Sequence, residues 1–178
     1  MPLELSFIVG FQYCILASPV TIWLAQLCAS WLIFAFAPLI VWCAWRCAKH
    51  REAKRLIISA VVDAIIAFLV SVACGQFIRR VRPFHASTLV HLLVAVPGTQ
   101  FSFPSSHSTI AFALATLLAL HDRSRAVWWF AIAVGVAVGR VAVGVHYPTD
   151  VLTGMVIGVL TTLALEAITK KHWLKKSL

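Results

Sequence analysis

Three short segments of the chain carry side chains suited to a negatively charged substrate: Arg79-Arg80-Val81-Arg82-Pro83, Pro104-Ser105-Ser106-His107, and Arg140 followed by His146 and Asp150. The second segment reads as a helix start. Unpaired backbone N–H groups and the helix dipole favour an anion there, and His107 falls in the first turn. Pro148 suits the first position of another helix, so His146 and Asp150, four residues apart, flank a second helix N-terminus and can meet. Arginines combined with two such termini fit the delocalised charge of a phosphate better than that of a carboxylate. A histidine beside a carboxylate keeps one ring nitrogen protonated and frees the other to attack, so the pattern predicts covalent phosphoryl transfer through His146. The same arginines would repel a divalent cation, and neither a metal nor any other cofactor is expected.

These segments can cooperate only if the elements between them bring them to one side. Of 178 residues, 61% are apolar and 12% charged, and the mean hydropathy is +0.93. That composition is foreign to a soluble domain. A membrane-crossing helix takes about 20 residues, which predicts an all-α integral membrane protein. Its expected form is a bundle of five or six transmembrane helices in one domain, 1–178, with the site at the extracytoplasmic helix ends.

The 41 residues from Leu5 to Trp45 contain no Lys, Arg, Asp or Glu, so 1–45 is an apolar N-terminal segment. Two short spans, or an interfacial helix followed by one span, fit that length. The motif-bearing core, 56–169, reads as spans from Leu56 to about Ile78, Ser105 to Leu120, Ala126 to Val143 and Pro148 to Ile168. A loop with one helical turn is expected between Phe84 and Phe103, containing Pro97, Gly98 and Gln100, and a basic tail covers 170–178.

Spans that alternate in direction put all three motifs on one face. Eleven of the 15 Lys and Arg lie on the other face, away from Arg79, Arg80, Arg82 and Arg140. By the positive-inside rule that other face is cytoplasmic, and the motifs face the periplasm or exterior of a cell inner membrane. MPLELSF lacks the basic start and small-residue cleavage site of a signal peptide, so the mature protein is expected to begin near Met1.

RRVRP, FPSSH and GRVAVGVHYPTD resemble the three signature motifs of the type 2 phosphatidate phosphatase superfamily, KxxxxxxRP, PSGH and SRxxxxxHxxxD. Arg140, His146 and Asp150 keep both spacings of the third motif. Within the superfamily the chain is most similar to bacterial undecaprenyl-diphosphatases of the bacitracin-resistance type, through its small size, VRPF and VGVHYPTDVLTG. The resemblance implies that Arg82 and Arg140 bind phosphate, that Ser105 and Ser106 add hydroxyl and backbone donors, and that His107 protonates the leaving group. It also implies that His146 is the nucleophile, oriented by Asp150, and that no metal takes part. The chain departs from the pattern at Gly75, where the family has lysine, at Gly139, where it has serine, and at Ser106, where it has glycine. Arg79, three residues before Arg82, is the candidate to replace the absent lysine as a phosphate-binding cation.

The expected reaction is dephosphorylation of a lipid phosphate or diphosphate, with undecaprenyl diphosphate giving undecaprenyl phosphate and inorganic phosphate as the leading case. A phosphatase for phosphatidylglycerophosphate, phosphatidate or a lipid A phosphate would use the same residues. A transporter or scaffold would be favoured by an inverted internal repeat, and the sequence has none. The partners expected are a membrane lipid and the bilayer. The charge of +9 is accounted for by topology and anionic headgroups rather than nucleic acid. The five cysteines form no CxxC pair and read as small apolar fillers. Asp63, an acid within a span and far from the motifs, reads as an interhelical hydrogen-bond partner. His85, His91, His121 and His172 read as interfacial polar residues, and Arg79 and Arg80 read either as anchors of a helix end to headgroups or as substrate-binding cations.

Overall fold

The computed structural model describes residues 2–47, 49–96 and 101–176, with side chains as far as Thr169. The regular elements among them are all helical: α1 Leu3–Leu16, α2 Pro19–Ser30, α3 Phe36–Trp45 after a 3-10 turn, α4 His50–Ile78, α5 Pro83–Ala86, α6 Ser106–His121, α7 Ala126–Ala142 after a second 3-10 turn, and α8 Pro148–Lys176. Pro97, Gly98 and Gln100 of the expected loop, the starting Met1 and the side chains of the tail from Lys170 lie outside the described residues. Three helices, α4, α7 with its preceding turn, and α8, are long and apolar enough to cross a membrane, and α2 with α3 makes a fourth candidate bent by 55°. Val61, Ile65, Phe68 and Leu69 on α4, and Leu152, Val156 and Leu160 on α8, are exposed. Apolar exposure on this scale belongs in hydrocarbon, and the protein is a multi-pass membrane protein.

α6 is the shorter apolar helix at the centre, packed against α4, α7 and α8, with every residue from Ala111 to Leu118 buried. Such close packing without a hydrophobic driving force depends on small residues. A Cβ at Gly158 of α8 would overlap the Thr109 carbonyl oxygen of α6. The buried hydroxyls are satisfied within the bundle: Thr109 donates to Ser105 O (2.9 Å) and Thr116 to Phe112 O (2.7 Å). Thr162 Oγ1 of α8 donates to Asp63 Oδ2 of α4 (2.8 Å) and to Ala113 O of α6 (3.0 Å), which joins three helices as expected for Asp63.

The N-terminal segment folds as the short apolar α1 followed by the bent pair α2 and α3. Glu4 bonds to Thr149 at the start of α8, and Gln12 donates to Ala142 O (3.0 Å) at the end of α7 and to His91 O (2.7 Å). Gln12 Oε1 also accepts from His91 N–H (2.9 Å), so this buried amide is well satisfied. Both anchors of α1 therefore sit at the motif-bearing end, and α1 crosses that end instead of running down the bundle. Two boundaries extend beyond the apolar runs, with α4 starting at His50 and α8 reaching Lys176. A helix continues through exposed polar residues as long as its backbone ladder does, whereas hydropathy marks only the part facing lipid.

Candidate active site

The first motif follows the end of α4. Arg79 takes a left-handed backbone (φ 51°), donates its N–H to Gly75 O (3.0 Å) and its Nε to Gln76 O (3.0 Å), and is exposed. The chain then runs extended. Val81 makes an isolated antiparallel bridge with Phe101, and Ser102 N–H donates to Arg80 O at 2.7 Å. Pro83 opens α5, and the preceding Arg82 is buried.

In the second motif Ser105 occupies the N-cap of α6 and Ser106 its first position. The Ser105 N–H donates to the backbone carbonyl of Asp150 (3.1 Å), so α6 and α8 begin side by side. Ser71 of α4 donates to Ser106 Oγ at 2.7 Å.

The third motif straddles the connection between α7 and α8. Arg140 is buried in the last turn of α7 and donates from Nη1 to Ala29 O (3.2 Å); its Nε has no hydrogen-bond partner among the described residues. The preceding Gly139 is required by that contact. A Cβ there would stand 2.5 Å from Ala29 N, which is a physical reason for glycine where the motif has serine. His146 Nδ1 lies 2.6 Å from Ser102 O and 3.8 Å from Asp150 Oδ2. A carbonyl only accepts, so Nδ1 carries the proton and Nε2 keeps its lone pair. Burial, reinforced by Arg140 and Arg82 and opposed by Asp150, presses the His146 imidazolium down to about 4. The ring is therefore neutral near pH 7.

Asp150 stands beside the ring as expected, within ion-pair distance. Its Oδ2 also accepts Tyr147 N–H (2.9 Å), a carboxylate closing back on the N-cap, and its Oδ1 accepts from Arg80 (2.8 Å). The Ser102 carbonyl is the nearer partner of the ring Nδ1. Sequence reasoning missed Ser102 because a backbone carbonyl is present at every position and leaves no signal in residue type. It missed Arg80 and Glu4 as well. Arg80 sits 3.7 Å from the Tyr147 ring centroid, pairs with Glu4 and Asp150, and receives Thr149 Oγ1 at 2.6 Å as a further acceptor.

A cavity of about 450 Å³ is lined by Arg82, Ser106, His107, Arg140 and His146 together with the apolar Phe68, Val72, Val96, Phe101 and Phe103. Phe68 and Val72 are also exposed on the lipid-facing side of α4, so the apolar wall continues into the hydrocarbon. Burial lowers the affinity of the Arg82 guanidinium for its proton, partly offset by Asp150. Two buried guanidiniums beside a neutral histidine make a polar end complementary to a phosphate. Two of the expected phosphate ligands are not among the residues that line the cavity: Arg79 is exposed with its Nε on Gln76 O, and the Ser105 backbone N–H donates to Asp150 O.

Two buried guanidiniums, two histidines and an apolar wall in one cavity suit a phosphorylated lipid. Residues 53–174 match the family described as the PAP2 superfamily, and the chain belongs to it. The bacitracin transport permease protein BcrC of Bacillus licheniformis is 30% identical over 154 residues, 86% of this chain and 72% of that one. The undecaprenyl-diphosphatase BcrC of Bacillus subtilis is 31% identical over 136 residues, 74% of this chain and 66% of that one. Among solved structures, LpxE of Aquifex aeolicus superposes with a TM-score of 0.70 over 92% of this chain and 94% of that one, at 21% identity, a likeness of fold.

Proposed function

We propose that the protein removes the terminal phosphate of undecaprenyl diphosphate at the outer face of the inner membrane, through a phosphohistidine on His146. The observation that carries the reaction is the neutral His146, its proton held at Nδ1 by Ser102 O, in one cavity with Arg82 and Arg140. His146 Nε2 attacks the terminal phosphorus and the bond from phosphorus to the bridging oxygen breaks. Burial, reinforced by Arg140, presses the His107 imidazolium down to about 3, so His107 takes up its proton together with the anionic diphosphate, whose charge offsets the arginines, and then donates it to the departing undecaprenyl phosphate. Water then attacks the phosphohistidine, returns a proton to His107, and inorganic phosphate leaves. Arg82, Arg140 and the N-terminal turn of α6 meet the equatorial oxygens, so positioning and fixed positive charge supply most of the catalysis without a metal.

The substrate is supported by the apolar wall, which suits a long hydrocarbon chain, and by the activity for which the Bacillus subtilis relative is named. The orientation is supported by the eleven cations at the end opposite the motifs. The test is phosphate release by purified protein from undecaprenyl diphosphate, phosphatidylglycerophosphate, phosphatidate and a lipid A phosphate. The highest kcat/KM is expected for the polyprenyl diphosphate. A preference of tenfold or more for a glycerophospholipid, by the arithmetic of about 1.4 kcal/mol per decade, would replace this substrate while keeping the mechanism.

A further inference from the structure

Arg80 lies outside the cavity, yet it reaches His146 by two routes. Through its side chain it binds Asp150 Oδ1 (2.8 Å) and Thr149 Oγ1 (2.6 Å) and covers the Tyr147 ring at 3.7 Å, so it grips three of the four residues that follow the histidine. Through its backbone carbonyl it receives Ser102 N–H at 2.7 Å, and the carbonyl of that same Ser102 takes the His146 Nδ1 proton. The other end of the Arg80 guanidinium is paired with Glu4 of α1, whose Oε1 also accepts Thr149 N–H (3.1 Å) and Thr149 Oγ1 (2.7 Å). Both charges are about seven-tenths buried, with side chains 28% and 29% exposed. Glu4 precedes the segment matched to the superfamily, which begins at residue 53.

We infer that Glu4 and Arg80 are positioning residues for the nucleophile, and that the N-terminal helix α1 is thereby a working part of the active site. Arg80 fixes the Asp150 carboxylate with its second oxygen toward His146 and holds the Ser102 carbonyl that sets the ring tautomer. Glu4 fixes Arg80 and ties it to the start of α8. Neither side chain lines the cavity, so neither binds the phosphate. The inference rests on His146 being the nucleophile.

The test compares Glu4→Gln, Arg80→Lys and Arg80→Gln, each alone and combined with Asp150→Asn, in the full-length protein. Arg80→Gln is expected to lower kcat by roughly 10- to 100-fold, the scale of a displaced reacting group, and Glu4→Gln by roughly 3- to 10-fold. KM and inhibition by inorganic phosphate should stay within about twofold, because transition-state alignment is lost and ground-state binding is not. Arg80→Lys should recover part of kcat, since it restores the charge without the fork. In the Asp150→Asn background Arg80→Gln should cost less than it does alone, as expected for residues acting in one network. A several-fold rise in KM or weaker inhibition by inorganic phosphate at constant kcat would make Arg80 a phosphate ligand, and full additivity with Asp150→Asn, or unchanged kcat in both single variants, would also overturn the inference.

The ring-nitrogen signals of His146 in histidine-labelled protein, identified by their loss in His146→Gln, give a readout that needs no turnover and separates misfolding from mispositioning. A single Nδ1–H tautomer is expected in the wild type and in Arg80→Gln, whose backbone still holds Ser102, while the ring-nitrogen shifts of the variant should be displaced because the Asp150 carboxylate beside the ring is no longer fixed. If the wild type hydrolysed no lipid phosphate, the functional reading would fail, while unaltered ring-nitrogen shifts in the Arg80 and Glu4 variants would sink the positioning role separately.

Discussion

Asp150→Asn isolates the charge of the acid from its size. The carboxylate stands 3.8 Å from His146 Nδ1, and the transition state places positive charge on that ring as Nε2 bonds to phosphorus. At an effective dielectric constant near 20, unit charges at that separation interact by about 4 kcal/mol. A ring carrying half a charge loses about 2 kcal/mol on neutralising Asp150, which is roughly a 30-fold fall in kcat; a full charge gives about 1,000-fold. The amide oxygen can still accept the Tyr147 N–H, and the Ser102 carbonyl still holds the Nδ1 proton, so the ring should keep its tautomer. KM should change little, since the ground-state imidazole is neutral. The assay is inorganic phosphate release in mixed micelles at saturating lipid, with thermal unfolding measured in parallel. A kcat within about threefold of wild type in a variant of normal stability would refute the countercharge argument, because it would put the transition-state charge on the ring at less than about a fifth of a unit.

Replacing His146 by alanine should abolish turnover and the acid-labile phosphoenzyme while leaving lipid binding near the wild-type level; a folded variant with most of its activity would remove the covalent mechanism. Because His146 is neutral above about pH 4, the acid limb of kcat/KM should fall as pH drops through about 4, and not through the ordinary histidine range near 6.5. A half-maximal point above 6 would mean that the ring is less buried than described. Activity should survive EDTA, given the buried Arg82 and Arg140 at the phosphate end; loss restored by one divalent ion would move His107 and His146 toward metal ligation. A reporter fused after Lys176 should read cytoplasmic, and an extracytoplasmic signal would invert the proposed face of the chemistry.

Much of the catalytic inventory was legible because its chemistry depends on side-chain type at fixed chain separation. Arg82, His107, Arg140 and His146 were readable as a set, and the structure brings all four into one cavity. Alternation of apolar runs determined that the three motifs meet at one end, since a helix that crosses a bilayer must return in the opposite sense. The composition likewise determined the class of fold, because 61% apolar residues leave no solvent but lipid for most of the surface. Tertiary structure alone decided the wiring around the nucleophile. The partner of His146 Nδ1 is a carbonyl 44 positions away that any residue could provide, and Arg79 and Arg80 are indistinguishable by type, yet one faces outward and the other holds Asp150. Glu4 is 145 residues from Thr149. A contact at that separation follows from how α1 crosses the end of the bundle, a packing outcome that hydropathy does not encode because α1 is apolar in either placement.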